Sequence, residues 1–310
     1  MFSKIITVTL NPSLDATLWI DKIDFDEPVK CEKEKYYPGG KGLNVSRVLT
    51  ALSVENIAIG ITGKDNKEKL SCLLDDENVV YDFVENDGAI RENLSIVLSD
   101  EKMLKINRKG FFVTKKILDS LKEKIKAQIE DVTSTLIVFA GSLPSNVTKN
   151  QYKSLVLRFK QEGAIIALDN DIFSAQDLKE ISPFLIKPNS VEIAHIFGCL
   201  EVADNEIQKY AKKLAEFTDH VLISMGSKGL LYCSSNEFIT VSVPYVKVKS
   251  TVGAGDTTLA GFIAALHNNK NIEYALRFAA SCGTASVSLD GTETITKEQV
   301  EAVFNQVKIT

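Results

Sequence analysis

The chain has few of the residues that mark metal centres and disulfide-rich proteins. Its 310 residues include only three histidines, five cysteines and one tryptophan. No Cys-x-x-Cys pair occurs, and no cysteine stands at metal-ligand spacing from a histidine. This pattern argues against a zinc site and indicates free thiols in a reducing compartment. No apolar run is long enough to span a bilayer, and the first residues lack the organisation of a signal peptide. We therefore expect a cytoplasmic protein with no membrane partner.

The charge balance also excludes a class of function. The formal net charge is −5, with 25% charged and 45% hydrophobic residues. A nucleic-acid-binding protein normally carries a basic surface, so we expect no nucleic-acid partner. The length allows one large domain with a substantial core. We expect a single domain over residues 1–310.

Short apolar runs alternate with amphipathic helical patterns along most of the chain. The strand candidates are Ile5–Leu10, Asn56–Ile61, Thr135–Ala140, Ala164–Leu168, Phe184–Ile186 and His220–Ser224. The helical patterns are Asn44–Leu52, Lys115–Ile129, Asn150–Glu162, Val191–Phe197 and Glu206–Phe217. This alternation predicts an α/β fold with a parallel sheet covered by helices on both faces. Polar residues follow each strand, and ligands of such sheets bind at the carboxyl ends of the strands.

Two segments interrupt this alternation. They cover approximately residues 15–37 and 86–108, and the second has the pattern of a hairpin. We expect them to form a small antiparallel sheet outside the main layer, acting as a lid or as a dimer surface.

A glycine-rich loop stands at the start of a helix late in the chain. The sequence Thr251-Val252-Gly253-Ala254-Gly255-Asp256-Thr257-Thr258 follows an alternating β-branched run, Phe238 to Val248, and precedes apolar residues at helical spacing. Gly253 and Gly255 leave backbone amides open to a ligand, and the helix dipole makes this end suited to phosphate. Asp256 would repel an anion, but it could take a proton from a hydroxyl that attacks phosphorus. The alternative is a helix-capping aspartate with no catalytic role.

A second glycine cluster opens the first helix. Gly39, Gly40 and Gly42 surround Lys41, and Asn44 follows. These residues could admit a phosphate and hold sugar hydroxyls, whereas a flexible helix-entry loop is the alternative.

Three further positions are open to two interpretations. Asp15 either forms a turn after Asn11-Pro12-Ser13 or accepts hydrogen bonds from vicinal hydroxyls. Asn189 and Glu192 form either a helix capping box or the surroundings of a water-coordinated Mg²⁺. Arg91 is either a surface charge or a clamp for a phosphorylated substrate.

The two glycine motifs, in this order and at this separation, resemble the ribokinase-like (PfkB-type) carbohydrate kinases. They are Gly39-Gly40-Lys41-Gly42-x-Asn44 and Thr251-Val252-Gly253-Ala254-Gly255-Asp256-Thr257. The resemblance covers nearly the whole chain. It implies a three-layer αβα sandwich with a mostly parallel central sheet and a small β-sheet lid, which in this family often makes a homodimer contact.

Four tracts look like the branch of this family that acts on phosphorylated ketohexoses. They are Thr7–Asp15, Tyr37–Arg47, Gly141–Pro144 and Lys187–Asn189. The branch contains 1-phosphofructokinase, which the Tyr-Pro-Gly-Gly tract favours, and tagatose-6-phosphate kinase as the alternative. The implied reaction moves the γ-phosphoryl group of ATP, with Mg²⁺, to the free primary hydroxyl of a ketohexose monophosphate, giving a 1,6-bisphosphate.

The resemblance also implies a role for each matched residue. Asp256 is implied as the base, and the amides of Ala254, Gly255 and Asp256 are implied as the anion hole, with Gly253 also among the catalytic residues. The implied sugar-phosphate contacts are Asp15, Gly39, Gly40, Lys41, Asn44, Arg91 and Ser142. The implied nucleotide contacts are Lys187, Asn189, Ser224, Gly226, Gly229 and Thr251, with Glu192 and, through water, Asn189 near Mg²⁺.

Two departures from the branch adjoin the expected phosphate clamp. Ile90 replaces a usual threonine, and Glu92 follows Arg91. They bear on substrate identity and not on the base. A non-catalytic sugar-phosphate sensor is the alternative from another class, and the intact Asp256 argues against it.

Overall fold

A ten-stranded sheet forms the centre of the computed structural model, which describes residues 2–100 and 102–310. The strands are β1 (Lys4–Thr9), β2 (Ser13–Ile20), β3 (Lys33–Gly39), β4 (Ile57–Gly63), β5 (Tyr81–Asn86), β6 (Arg91–Leu98), β7 (Met103–Ile106), β8 (Thr135–Ala140), β9 (Ile165–Asp169), β10 (Leu185–Ile186), β11 (His220–Ser224), β12 (Leu230–Cys233), β13 (Phe238–Ser242) and β14 (Lys308–Ile309). The helices are α1 (Lys41–Ala51), α2 (Lys67–Asp76), α3 (Lys115–Ala127), α4 (Lys149–Glu162), α5 (Ala175–Ile181), α6 (Ser190–Phe197), α7 (Ile207–Ala215), α8 (Ala254–His267), α9 (Ile272–Ser286) and α10 (Lys297–Phe304).

The central sheet is mostly parallel, as the alternation predicts. Its order is β14-β13-β12-β11-β10-β9-β8-β1-β4-β5, and every pair from β11 to β5 is parallel. The antiparallel pairs of this sheet are β11–β12, β12–β13 and β13–β14. The carboxyl ends of β1, β8, β9, β10 and β11 therefore meet at one edge.

Two separate hydrophobic cores lie on the two faces of this sheet. Successive residues of a strand point to opposite faces, and in β8 Ile137 and Phe139 enter one core while Leu136 and Val138 enter the other. Helices α3, α4, α6 and α7 cover the first face, and α1, α8, α9 and α10 cover the second. The expected three-layer sandwich is confirmed.

Four strands form the second, smaller sheet, in the order β3-β2-β6-β7. The hairpin expected near residues 86–108 is present as the antiparallel pair β6–β7. The expectation of an antiparallel sheet was wrong at one pair, because β2 and β6 run parallel. Whole elements of the central layer separate these two strands in the chain, so no turn dictates their relative direction.

The run Phe238 to Val248 is shorter as a strand than its pattern predicts. Strand β13 ends at Ser242, and Pro244 follows shortly after. A proline has no amide hydrogen for a sheet ladder, so pairing stops before it.

In the described part of the chain, no helix has the length and apolar character that a membrane crossing requires.

Candidate active site

Helix α8 begins at the second glycine motif with unpaired amides. Gly253 precedes it in the left-handed region at φ 77°, and the Thr257 amide donates to the Gly253 carbonyl at 2.8 Å. The amides of Ala254, Gly255 and Asp256 come before this bond, so no helical carbonyl is available to them. Together with the helix dipole they make a site for an anion.

Asp256 lies in the first turn of α8 and is 6% exposed. Its Oδ2 accepts a hydrogen bond from Asn44 Nδ2 at 2.7 Å. Burial and the nearby Asp169 charge raise the pKa of Asp256 to about 7, against the opposing effects of Lys41, Asn44 and Lys187. A carboxyl group that titrates near neutrality is suited to accept a proton in a reaction.

A buried ionic cluster lies beside Asp256. Asp169, at the end of β9, accepts from Lys41 Nζ at 2.9 Å, and Lys187 Nζ lies 3.3 Å from its other oxygen. Lys41 Nζ also donates to Glu192 Oε1 at 3.1 Å. The Asp169 side chain is fully buried and Lys187 is 5% exposed. Two lysines are thus held at the carboxyl edge of the sheet by carboxylates.

The pKa shifts of Asp169 and Lys41 favour the charged forms of these two groups. Burial raises the pKa of Asp169, but the charges of Lys187 and Lys41 outweigh burial and lower it overall. Burial lowers the pKa of Lys41, but the charges of Asp169 and Glu192 outweigh burial and raise it overall. Each group thus stays ionised because its partners are present.

Lys187 lies directly against the first turn of α8. A Cβ atom built on Gly255 would come within 2.8 Å of Lys187 Nζ. The glycine therefore allows an ammonium group and the free amides of α8 to share one space. Both favour a phosphate group there.

The capping-box interpretation of Asn189 and Glu192 is confirmed. Asn189 Oδ1 accepts from the Glu192 amide at 2.9 Å, and Glu192 Oε2 accepts from the Asn189 amide at 3.0 Å. Asn189 also bridges to Ser224 of β11, whose buried Oγ has no hydrogen-bond partner. Because Glu192 Oε2 is engaged in the capping box, only the other carboxylate oxygen, Oε1, accepts from Lys41.

The face of the small sheet that carries Asp15 supplies a second polar surface. Asp15 lies opposite Asn93 and Tyr37 in the sheet. Its Oδ1 accepts from Asn93 Nδ2 at 2.8 Å and from Ser13 Oγ at 2.7 Å. The turn-forming interpretation of Asp15 is wrong, because Asp15 lies inside strand β2.

Arg91 stands in the next row of the same face, opposite Ser13. Its Nη2 lies 3.4 Å from Ser142 Oγ and donates to the Asn11 carbonyl at 3.3 Å, while its buried Nε has no partner. Burial lowers the pKa of Arg91, and Asp15 opposes this shift. A guanidinium group with unused donors is suited to bind an anion.

The two departures that adjoin Arg91 in sequence do not share its surface. Ile90 is 2% exposed and belongs to the hydrophobic core. Glu92 pairs with Leu14, so strand alternation places it on the opposite face of the sheet from Arg91.

The first glycine motif is shaped by close packing. Gly40 has φ 115°, and a Cβ there would come within 2.9 Å of Thr9 Cγ2. A Cβ on Gly39 would overlap the Asp15 carboxylate. Both glycines thus bring the start of α1 against β1 and against Asp15.

Two expected nucleotide contacts lie in the turn between β11 and β12, and a third lies just before α8. Gly226 begins a short turn after β11, and Gly229 ends it with φ 100° against the Val241 carbonyl. Gly229 is therefore required by the β12–β13 pairing, whatever else it contacts. Thr251 is exposed before α8.

Sequence reasoning missed Asp169, Asn93 and Arg47. Asp169 could have been found, because it ends a predicted strand at the edge where ligands bind. Asn93 and Arg47 carry no such signal, since only the fold brings Asn93 to Asp15 and Arg47 to Glu77.

Comparison with known proteins gives consistent matches. A model of the pfkB family of carbohydrate kinases matches residues 8–299. The chain is 32% identical to 1-phosphofructokinase of Bacillus subtilis over 307 residues, with 99% of each chain covered. It is 27% identical to tagatose-6-phosphate kinase of Staphylococcus epidermidis over 312 residues, covering 98% of this chain and 99% of the relative. The structure of phosphofructokinase-2 from Escherichia coli in complex with substrates and products superposes with a TM-score of 0.89 at 27% identity, covering 97% and 98% of the chains.

Proposed function

Because the chain belongs to the pfkB family of carbohydrate kinases, we propose that it phosphorylates a ketohexose monophosphate with ATP. The proposed substrate is fructose 1-phosphate, and the product is fructose 1,6-bisphosphate. The similarity to 1-phosphofructokinase supports this substrate, and the similarity to tagatose-6-phosphate kinase supports tagatose 6-phosphate as the second candidate.

One observation supports the reaction itself: the buried Asp256 carboxylate adjoins free helix amides and the Lys187 ammonium. In the proposed mechanism the sugar hydroxyl loses its proton to Asp256 as its oxygen bonds to the γ-phosphorus. The oxygen that bridges the γ- and β-phosphorus leaves with ADP. The amides of Ala254 and Gly255 and the Lys187 ammonium stabilise the charge that develops on the transferred group.

The polar face of the small sheet would hold the sugar. Asp15 and Asn93 offer an acceptor and a donor for vicinal hydroxyls. Gly39 and Gly40 would border the sugar, because they pack the chain closely against Asp15 and β1. Arg91 and Ser142 would clamp the sugar phosphate. The backbone of Lys41 lies next to the Gly141 turn, and its ammonium group lies in the ionic cluster. Lys41 could therefore neutralise either the sugar phosphate or a phosphate of ATP.

ATP would lie along the carboxyl ends of β10 and β11, beside Lys187, Asn189 and Ser224. The unpartnered Ser224 hydroxyl is available to such a ligand. Thr251, Gly226 and Gly229 would border it.

The residues present fit Mg²⁺ held mainly by phosphate and water. Glu192 Oε2 and Asn189 Oδ1 are engaged in the capping box, and Glu192 Oε1 accepts from Lys41. No cluster of metal-ligating side chains occurs among residues 2–100 and 102–310. Mg²⁺ usually keeps several waters, so Glu192 and Asn189 would hold it through them. When bound, Mg²⁺ supplies charge neutralisation of the phosphates.

The second face of the small sheet supports a homodimer. Strand alternation places Leu18, Leu94, Ile96, Leu104 and Ile106 on the face opposite Asp15. Leu104 and Ile106 are 45% and 41% exposed. We call these five residues the apolar lid face and propose that it pairs with a second copy of the chain. We also propose a cytoplasmic location, where ATP and sugar phosphates are available.

The first experiment measures ADP release with Mg-ATP and four acceptors: fructose 1-phosphate, tagatose 6-phosphate, fructose 6-phosphate and fructose. We expect fructose 1-phosphate to give a kcat/KM about tenfold or more above the others, since one misplaced polar contact costs at least this much. A lead by tagatose 6-phosphate would refute the substrate and keep the reaction. Binding of a sugar phosphate without any turnover would refute the kinase and support a sensor.

A variant tests the sugar-phosphate clamp. Arg91→Met should raise KM for the phosphorylated sugar by about tenfold and leave KM for ATP unchanged, because it removes a charged hydrogen-bond donor. Arg158→Met is the matched control, since Arg158 is an exposed arginine of α4 that pairs with Glu162. Equal effects of the two substitutions would refute the clamp.

A further inference from the structure

Arg47 is buried, and its hydrogen-bond partners are neither members of the ionic cluster nor Asp15. It lies on α1 and is 2% exposed, and it is among the largest fully buried side chains of the protein. An arginine is almost never buried to this extent unless its donors are paired. The hydrogen-bond partners of Arg47 therefore indicate why an arginine occupies this buried position.

All three nitrogen atoms of the Arg47 guanidinium donate hydrogen bonds. Nε and Nη2 donate to the two carboxylate oxygens of Glu77, each at 2.6 Å. Nη1 donates to the Pro38 carbonyl at 3.0 Å and to Asn44 Oδ1 at 3.3 Å. Thr294 Oγ1 also donates to Glu77, at 3.1 Å. Glu77 thus fixes the plane of the guanidinium from outside α1.

These bonds determine the orientation of the Asn44 amide. A guanidinium group has only donors, so the oxygen of Asn44 must face Arg47. The nitrogen of the same amide must then face the other way, and it donates to Asp256 Oδ2 at 2.7 Å. Arg47 and Asn44 are three residues apart on one helix, which places them on the same face.

We infer that Arg47, held by Glu77, is a positioning residue that orients the Asn44 amide so that it donates to the Asp256 carboxylate. This inference rests on the proposed function, because it assigns Asp256 as the base. Arg47 acts only through Asn44 and contacts no reacting atom. Glu77, which follows α2, is the outermost residue of this hydrogen-bonded series. The Pro38 carbonyl of β3 accepts a further bond from Arg47 and so connects the guanidinium to the small sheet.

The orientation has a consequence for the pH dependence of turnover. The charged groups that face Asp256 are Asp169 from β9, Lys41 from α1 and Lys187 after β10. A hydrogen bond donated to a carboxylate favours its ionised form. If Asn44 is no longer held, its nitrogen leaves Asp256 or its oxygen turns toward it, and either change disfavours the charged base. The acid limb of the kcat profile should then move to higher pH.

The test is a double-mutant cycle with Arg47→Lys and Asn44→Ala, assayed by ADP release with the best acceptor. Lysine keeps the positive charge but cannot bond to Glu77 and Asn44 at once. We expect each single variant to lower kcat by about tenfold or more and the double variant to be no slower than Asn44→Ala, since coupled residues are not additive. KM for ATP should stay within about twofold in Arg47→Lys. Its acid limb should lie at higher pH than that of the wild type.

A surface arginine provides the control for the substitution itself. Arg158 pairs with Glu162 on α4 at 2.7 Å and is 58% exposed, so Arg158→Lys should leave kcat and its pH profile unchanged. If Arg47→Lys does not fold, Glu77→Gln takes its place, because Glu77 is 28% exposed and glutamine keeps one acceptor. Glu77→Gln should move the acid limb of the kcat profile to higher pH, but by less than Arg47→Lys does.

Two outcomes would overturn the positioning role. One is multiplication of the two kcat effects in the double variant, which means that Arg47 acts independently of Asn44. The other is a loss of stability in Arg47→Lys or Glu77→Gln with an unshifted pH profile, which indicates a structural role only. Absence of turnover in the wild-type protein is a different result, and it refutes the proposed function itself.

Discussion

Replacing Asp256 with asparagine should remove turnover and stabilise the fold at the same time. The pKa of Asp256 is raised from 3.8 to about 7, mainly by burial. Folded protein therefore binds the proton more strongly than unfolded protein does. Between about pH 4 and pH 7 the unfolded state releases this proton first, so the free energy of unfolding falls as the pH rises through that window.

The magnitude follows from the size of the shift. A difference of about three pKa units corresponds to about 4 kcal/mol at about 1.4 kcal/mol for each unit. Asparagine is neutral and has nearly the same shape, and its oxygen can still accept from Asn44. Since the new amide group must also be accommodated, we expect Asp256→Asn to raise the free energy of unfolding by about 2–4 kcal/mol at pH 8. The gain should fall below about 1 kcal/mol near pH 4.5.

Urea unfolding at a series of pH values measures this difference, and ADP release measures turnover. Turnover should fall by about 10²-fold or more, with ATP binding retained, because only the base is removed. Asp177→Asn is the control, because its change in the free energy of unfolding at pH 8 should have the opposite sign. Burial raises the pKa of Asp177, but its bonds from Lys153, Ser174 and Lys149 outweigh burial and lower it overall. The Asp177 contribution is present at neutral pH and is lost in acid, so this variant should be less stable than wild type at pH 8.

A pH-independent difference between Asp256→Asn and wild type would refute the electrostatic reasoning. An Asp256→Asn variant that is less stable than the wild type at pH 8 would also refute this reasoning. Near-normal kcat would remove Asp256 from the role of base, whatever its effect on stability.

Four further predictions concern the neighbours of Asp256 and the small sheet. Lys187→Met removes a charge that lowers the pKa of Asp256, so the acid limb of kcat should move to higher pH and KM for ATP should rise. Asp169→Asn removes a charge that raises this pKa, so the limb should move to lower pH; the free energy of unfolding should fall by about 3 kcal/mol because Lys187 loses its partner. Gly255→Ala would place a methyl group 2.8 Å from Lys187 Nζ and should lower kcat/KM for ATP about tenfold, an effect that steady-state kinetics can detect. Leu104→Glu should shift the protein toward monomer in sedimentation, and an unchanged molecular mass would refute the proposed dimer face.

Local patterns predicted the central layer well because its elements carry their own signals. Thr135–Ala140 and His220–Ser224 are strands with the expected bounds, since each is a short, continuous apolar run. The start of α8 was predicted from Gly253 and the apolar spacing behind it. Such features depend on a few neighbouring residues, which one sequence displays directly.

Elements whose stability comes from distant contacts were not predicted. Helix α2 buries only Leu70 and Leu74, so its apolar pattern is weak. Helix α9 was also missed, because small residues let it pack closely on α8: a Cβ on Gly283 would meet Thr258 Oγ1 at 2.2 Å. A sequence rich in alanine, glycine and serine shows little amphipathic contrast, and its fit to a partner helix is invisible before folding.

The same limit applies to the candidate site. The two glycine motifs located the free amides at the start of α8 and the position of Asp256, because an anion site at a helix start needs glycine beside the amides. The ionic cluster was only half anticipated. Lys41, Lys187 and Glu192 were named singly, but Asp169, which joins the two lysines, was treated as a polar strand end. The pairing of Asp169, at the end of β9, with Lys41 of α1 and with Lys187 after β10 depends on the order of the strands in the sheet, which the sequence does not state.

If the proposed sugar site and the proposed dimer face are both correct, the small sheet joins substrate binding to assembly. Its strands alternate, so Asp15, Arg91 and Asn93 lie on one face of the sheet and the apolar lid face is on the other. A shift of register by one residue would exchange the two faces, placing leucines toward the sugar and carboxylates toward the partner. A partner that fixes the register of β2 against β6 therefore also fixes the distance between Asp15 and Asn93. If the proposed dimer forms through this face, its loss should raise KM for the sugar phosphate more than KM for ATP, because the expected ATP contacts belong to the central sheet and α8.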